Sequence, residues 1–152
     1  MSSPLTATDL VARLGISRET GDRLAAYVAL LAAWQKRINL VGPSTLADPW
    51  RRHILDSAQL MPHIAAGSSV VDLGSGAGFP GLVLAILADL DVHLIESDQR
   101  KAAFLREAAR VTGAAVTVHA RRLETVTDLT ADVITARALA PLDKLLAWAL
   151  PF

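Results

Sequence analysis

The sequence predicts an α/β fold on a parallel sheet, and three observations carry that prediction. Near Gly67-Ser68-Ser69 the hydrophobic period changes from helical spacing to short β-branched runs that alternate with helical stretches. Such alternation is the pattern of βαβ units, whose right-handed crossovers lay four strands out most simply as a doubly wound sheet in the order 3-2-1-4. The first β-branched run, Val70-Val71, also passes directly into a glycine-rich turn. The chain therefore divides into an N-terminal helical region, 1–66, packed on the sheet, and an α/β core, 67–152.

Each element has its own local reason. Leu10, Val11 and Leu14 form an apolar stripe that Gly15 ends. Leu24, Tyr27, Val28, Leu31 and Ile38 recur at steps of three, four and seven, which predicts a second helix. Asp48-Pro49 reads as cap and first residue of a third, whose buried stripe is Ile54, Ala58 and Met61 until Pro62. Beyond the boundary, Val70-Val71 is a strand, 80–88 a helix, 92–95 a strand and 99–112 a helix capped by Gly113. Strands at 116–118 and 133–135 follow, then a last helix over 141–150. The fourth strand is expected at an edge, where unpaired backbone groups would permit self-association.

Composition narrows the function. The chain has 152 residues, 52% of them hydrophobic, with 15 Lys plus Arg balancing 15 Asp plus Glu. A chain of this length removes about two-thirds of its unfolded surface from water, so it is read as one globular domain. The apolar run from Leu24 to Trp34 falls short of the roughly 18 residues that cross a bilayer, and Met1-Ser2-Ser3-Pro4 has neither a cationic start nor an apolar core for export. No membrane partner and a cytoplasmic location are expected. Cysteine is absent, which removes disulfides, thiolate-ligated zinc and thiolate nucleophiles.

The most informative stretch is Asp72-Leu73-Gly74-Ser75-Gly76-Ala77-Gly78-Phe79-Pro80-Gly81, running from the first strand into a helix. At the carboxyl end of a strand, glycines let backbone amides approach a ligand. The spacing departs from the dinucleotide pattern, because Phe79 stands where a third glycine would fall. Asp72 brings negative charge near the loop, which suits a ligand with an ammonium group such as S-adenosylmethionine. Glu96 ends the next strand 22 residues after Gly74, close to the roughly 20 at which an acid meets ribose hydroxyls. Asp72, Gly74, Gly76, Gly78, Phe79 and Glu96 together are read as an adenosyl pocket, with S-adenosylmethionine as cofactor.

These residues resemble the glucose-inhibited division protein B family, also called ribosomal RNA small subunit methyltransferase G, with a class I, Rossmann-like methyltransferase fold. The resemblance extends over essentially the whole chain and includes Trp34, Asn39-Leu40, Arg52-His53-Ile54-Leu55-Asp56-Ser57, the glycine loop and Arg137-Ala138. It implies methylation of guanine N7 in 16S rRNA of the small ribosomal subunit. It further implies that Gly74 and Phe79 line the cofactor site, that the backbone of Leu123 and Glu124 meets the adenine, that Glu96 holds the ribose and that Arg137 reaches the reaction centre as the catalytic residue. Asn39, Arg52, His53, Asp56, Ser57 and Arg100 fall on the RNA or substrate side. Val41 stands where the family usually has threonine, and Arg100 where it commonly has lysine. Family members continue through three more strands, so the chain reads as a C-terminally shortened member.

Other constellations carry less. His53, Asp56 and Ser57 lie on one helix face, but side chains of one short helix rarely reach the geometry of nucleophile, base and orienter. His53, His63, His93 and His119 lack paired ligand spacing, so no metal is expected. Lys36-Arg37, Arg51-Arg52, Arg100-Lys101 and Arg121-Arg122 are candidate phosphate contacts in a neutral chain. Trp34 and Trp50 are read as core rather than base-stacking platforms. Two alternatives stay open at this point: a small-molecule methyltransferase, and a cofactor-binding remnant without catalysis.

Overall fold

A computed structural model describes residues 3–152; Met1 and Ser2, half of the stretch read for an export signal, lie outside the described residues. The first helix, α1 (Ala7–Leu14), opens on a reciprocal cap. Thr6 Oγ1 accepts the Asp9 amide and the Asp9 carboxylate accepts the Thr6 amide, at 3.2 and 2.9 Å. Gly15 closes it in the left-handed region, as its position in the sequence predicts. Helix α2 (Arg18–Gln35) starts from Ser17 and buries Leu24, Tyr27 and Leu31. Ile38 continues the apolar spacing past the helix end, where the Gln35 side chain turns the chain by bonding the Leu40 and Val41 backbone.

The third helix begins where Asp48-Pro49 predicts but is wound differently. Trp50–Leu55 is a π-helical segment, continued by a short α-turn, α3 (Asp56–Ala58). The Asp48 carboxylate is shared between the Leu5 amide at 3.0 Å and the Arg51 guanidinium at 2.9 Å, so it ties the N-terminus down as well as opening the helix. A wider turn of this kind changes which side chains face inward. Here it buries the neighbours His53 and Ile54 together.

Four parallel strands, β1 (Ser69–Leu73), β2 (Asp91–Ile95), β3 (Val116–His119) and β4 (Val133–Ala136), pair in the order β3-β2-β1-β4. Strand β1 is central and almost wholly buried, as a strand covered on both faces must be. One face is closed by α4 (Gly81–Leu87) and α5 (Gln99–Thr112), with α2 packed on both. Arg23 joins these helices from α2, donating to the carbonyls of Thr112 at 2.6 Å and Ile86 at 3.4 Å near the ends of α5 and α4. Trp34 meets Phe104 edge-on at 5.5 Å, which places it in the core as read.

The other face is more thinly covered. Val71, Leu73, Ile95 and Val126 form a smaller apolar cluster beneath Trp148 and Phe152. The last helix, α6 (Leu142–Ala149), leaves Leu142 and Leu146 70% and 58% exposed, and Leu150 just beyond it 84%. Strand β4 pairs with β1 alone among the described residues. No helix among them is long and apolar enough to cross a membrane.

Candidate active site

Every strand of a parallel sheet delivers its following loop to the same edge, and here four such loops enclose a cleft of about 840 Å³. Its two ends are built differently.

At one end the walls are backbone. The loop after β1 carries Gly76 at φ +56°, a conformation that side chains rarely adopt, and the Gly76 amide donates to Glu96 Oε1 at 2.8 Å. Glu96 Oε2 accepts the Asp98 amide at 2.9 Å, so both carboxylate oxygens are held by the main chain. Glu96 is 8% exposed yet lines the cleft. Each oxygen keeps a further lone pair, which lets the carboxylate accept from a vicinal diol. The 3-10 turn Leu123–Thr125 after β3 adds Leu123 and Glu124, and Trp148 reaches in from α6. An adenosyl group fits this end: amide walls, a diol acceptor and an apolar shelf stand in one concavity.

Two residues read as part of that pocket stand behind it. Strand alternation turns Asp72 toward α4, where it is fully buried and absent from the cleft lining. Its Oδ1 accepts the Thr135 hydroxyl at 2.7 Å, while Oδ2 has no hydrogen-bond partner of good geometry. Burial raises its pKa to about 6, only partly opposed by Thr135, Ser75, the Gly81 amide and the charge of Arg137. Gly78, at φ +95°, also faces inward. A β-carbon there would come within 2.5 Å of the Tyr27 hydroxyl and 2.9 Å of Leu82, so this glycine seats the loop on the core. Tyr27 clamps the same loop by donating to the Ala77 carbonyl.

At the other end the walls are side chains from distant parts of the sequence. Arg137 follows β4 and lies over the Phe79 ring, 5.1 Å from its centroid. His53, from the π-helical segment, stacks on Phe79 at 4.7 Å. Arg137 Nη2 lies 2.9 Å from His53 Nδ1, and Nη1 lies 3.5 Å from both the Asp56 carboxylate and the Arg52 carbonyl. Burial, then the charges of Arg137 and Arg52, lower the His53 pKa to about 4 despite the opposing charge of Asp56. The imidazole is neutral at pH 7. Since guanidinium only donates, His53 Nδ1 is the acceptor and Nε2 carries the proton. That proton points to Thr45 Oγ1 at 2.7 Å, and Thr45 donates in turn to the Gly42 carbonyl at 2.7 Å.

Ala138, next to Arg137, adopts φ +53°, an uncommon left-handed conformation for a residue with a β-carbon. Before this residue Arg137 meets His53, and after it Leu139 covers Gly74, where a β-carbon would lie 2.6 Å from the Leu139 side chain.

The remaining sequence candidates separate clearly. Arg52, His53 and Asp56 line the cleft, whereas Ser57 is buried and donates to the His53 carbonyl at 2.7 Å. Asn39 is exposed outside the lining, where it accepts from Gln35. Arg100 is exposed at the start of α5, and its neighbour Lys101 enters the lining instead. Arg121 and Arg122 also border the cleft. The sequence reading passed over Thr45, Leu139 and Trp148, whereas Lys101 was named with Arg100 as a candidate phosphate contact. It also missed that pairing of β2 with β3 brings His93 Nδ1 within 2.9 Å of His119 Nε2. No group of three or more potential metal ligands occurs among the described residues.

Several known proteins are similar to this chain. The family described as GidB, rRNA small subunit methyltransferase G, matches residues 21–152. A relative from Paramagnetospirillum magneticum, named ribosomal RNA small subunit methyltransferase G, is 62% identical over 144 residues, covering 94% of this chain and 70% of its own length. One of the same name from Rhodospirillum centenum is 63% identical over 147 residues, covering 96% and 68%. Among solved structures, a mutant of MtNAS in complex with S-adenosylmethionine aligns with TM-score 0.59 at 16% identity, over 96% of this chain and 63% of that one. Protein-L-isoaspartate O-methyltransferase aligns with TM-score 0.55 at 13% identity, over 86% and 47%. These two share the fold. The profile match and the close relatives go further: this chain belongs to the ribosomal RNA small subunit methyltransferase G family.

Proposed function

We propose that the chain methylates N7 of a guanine in 16S rRNA of the small ribosomal subunit, with S-adenosylmethionine as methyl donor. One observation carries the reading: a cradle of backbone amides around Glu96 opens into the same cleft as an arginine fixed at the end of β4. When bound, S-adenosylmethionine supplies an electrophilic methyl on a sulfonium. Glu96 holds the ribose hydroxyls, the Leu123–Glu124 backbone meets the adenine, and Gly74 and Gly76 let the main chain lie against the remainder.

Guanine N7 suits what the cleft offers. Its lone pair is already free, so no general base is needed and the protein's work is alignment and exclusion of water. A pyrimidine C5 target would instead need a thiolate nucleophile, and the chain contains no cysteine. Arg137, at the mouth, orients the base or counters its phosphate. Arg52, Lys101, Arg121 and Arg122 give the rim four cations in a chain of zero net charge, and phosphate contacts of this kind weaken as salt rises. Residues 1–66 supply one side of the RNA-facing rim through Arg52, while 67–152 form the cofactor core and carry the other rim cations, and the chain works in the cytoplasm.

The test is transfer of labelled methyl from S-adenosylmethionine to unmodified small subunits, followed by borohydride and aniline cleavage, which cuts RNA at N7-methylguanine. A single cleavage site that is lost in Arg137→Ala is expected. Label without cleavage would overturn the N7 assignment, and transfer to small molecules with none to RNA would favour a small-molecule enzyme.

A further inference from the structure

Arg137 is a long, flexible side chain at a half-open mouth, and its neighbours hold it there. Phe79 supports the stacked imidazole from below, and the π-helical segment presents the Arg52 carbonyl, His53 Nδ1 and the Asp56 carboxylate around one guanidinium. Two of these three contacts are long, at 3.5 Å, and one is short, at 2.9 Å. The short one comes from the only buried member of the set.

We propose that His53 is a positioning residue: its imidazole, fixed as the Nε2–H tautomer between Thr45 and Arg137, sets where the Arg137 guanidinium points. The hydrogen bonds run in one direction, from Arg137 to His53 Nδ1, from His53 Nε2 to Thr45, and from Thr45 to the Gly42 carbonyl. Each donor has one acceptor, so reversing any link would set two donors or two acceptors face to face. The chain of bonds also crosses between regions, since Gly42, Thr45 and His53 belong to 1–66 while Arg137 and Phe79 belong to the sheet core. A side chain held from both sides loses little freedom when substrate arrives, which is how a positioning group aids alignment. The groups facing this imidazole are Arg52 and Asp56 from its own segment and neighbouring turn, Thr45 from the preceding turn, Arg137 from the end of β4 and Phe79 from the glycine loop. Among them only His53 joins Arg137 to Thr45. The kinetic part of this proposal rests on the methyltransferase reading; the tautomer and its link to Arg137 do not.

Two measurements test it. Nitrogen-15 NMR of the labelled chain at pH 7 is expected to find His53 as the neutral Nε2–H tautomer, and Arg137→Ala to raise its titration midpoint toward the ordinary histidine value. A Nδ1–H tautomer, or a midpoint indifferent to Arg137→Ala, would overturn the proposal. In methyl transfer to small subunits, His53→Ala is expected to lower kcat about tenfold with KM for S-adenosylmethionine unchanged. His53→Asn, which keeps an acceptor at the Nδ1 position, recovers to within about threefold, whereas His53→Gln, whose amide reaches the Nε2 position and leaves no acceptor at Nδ1, does not. Equal rescue by Gln, or a change in KM instead of kcat, would contradict the assignment. If the wild-type chain transfers no methyl, the functional reading fails, and the imidazole spectrum decides the positioning proposal alone.

Discussion

The two ends of the cleft solve the same problem with different materials. At the Glu96 end the main chain does the shaping: the Gly76 and Asp98 amides fix one carboxylate, and a tyrosine hydroxyl clamps the loop. At the Arg137 end, side chains from positions 53, 56 and 79 surround one guanidinium, and Thr45 holds the far side of the His53 ring. A backbone-built site is fixed by the fold and tolerates few changes in shape. A site built from side chains can be altered residue by residue while the fold stays intact. Perturbations of the first end should therefore unfold or empty the protein, and those of the second should change its chemistry.

The largest effect is expected at Gly78. In Gly78→Ala the new methyl meets both the Tyr27 hydroxyl and Leu82 at a backbone angle that disfavours it, which should cost about 3–5 kcal/mol, read as a drop in the denaturant midpoint. Next comes Asp72. Its pKa rises from 3.8 in the unfolded chain to about 6 when folded, so the folded state holds the proton more tightly. The associated stability is present at low pH and lost as the pH rises through 3.8 to about 6, by roughly 3 kcal/mol. Asp72→Asn should flatten that part of the stability profile, as measured by urea melts between pH 3.5 and pH 7, a range set from the same shift.

His53 has the opposite sign, and so supplies a third prediction. Its folded pKa of about 4 lies below the ordinary 6.5, so the unfolded chain takes up the proton first, and stability falls as the pH drops from 6.5 toward 4. His53→Asn should remove this acid sensitivity while leaving the Asp72 contribution in place, which the same melts would resolve. The smallest effect is expected on the rim. Arg122→Ala should weaken RNA binding evenly across sequences and reduce the slope of log affinity against log salt by about 1.

How much the sequence revealed follows the same division. The sheet order, Gly15 and Gly113 as helix ends, the glycine loop and the register of Glu96 are local patterns, and local patterns can be read along the chain. The Arg137 end was legible only as separate candidates. Arg52, His53, Asp56 and Arg137 were each singled out, but nothing in their spacing joins positions 53 and 137. The π-helical turn was hidden for a related reason. Asp48-Pro49 announces a helix without specifying its winding, which tertiary packing at His53 and Ile54 decides. Asp72 was read as facing the ligand because its distance from Gly74 is short in sequence; strand alternation turns it to the opposite side. Thr45, Leu139 and Trp148 carry no motif, and only the assembled fold brings them to the cleft.

The proposed activity requires the backbone-built end to be an S-adenosylmethionine cradle. Isothermal titration of S-adenosylmethionine into the 152-residue chain, with NAD as comparator and Glu96→Ala as variant, tests that claim. Saturable binding at one site per chain is expected, with none for NAD and at least a tenfold loss in Glu96→Ala, since paired charge-assisted hydrogen bonds to the ribose are removed. Equal affinity for the wild type and Glu96→Ala, or binding of NAD in place of S-adenosylmethionine, would contradict the cradle assignment.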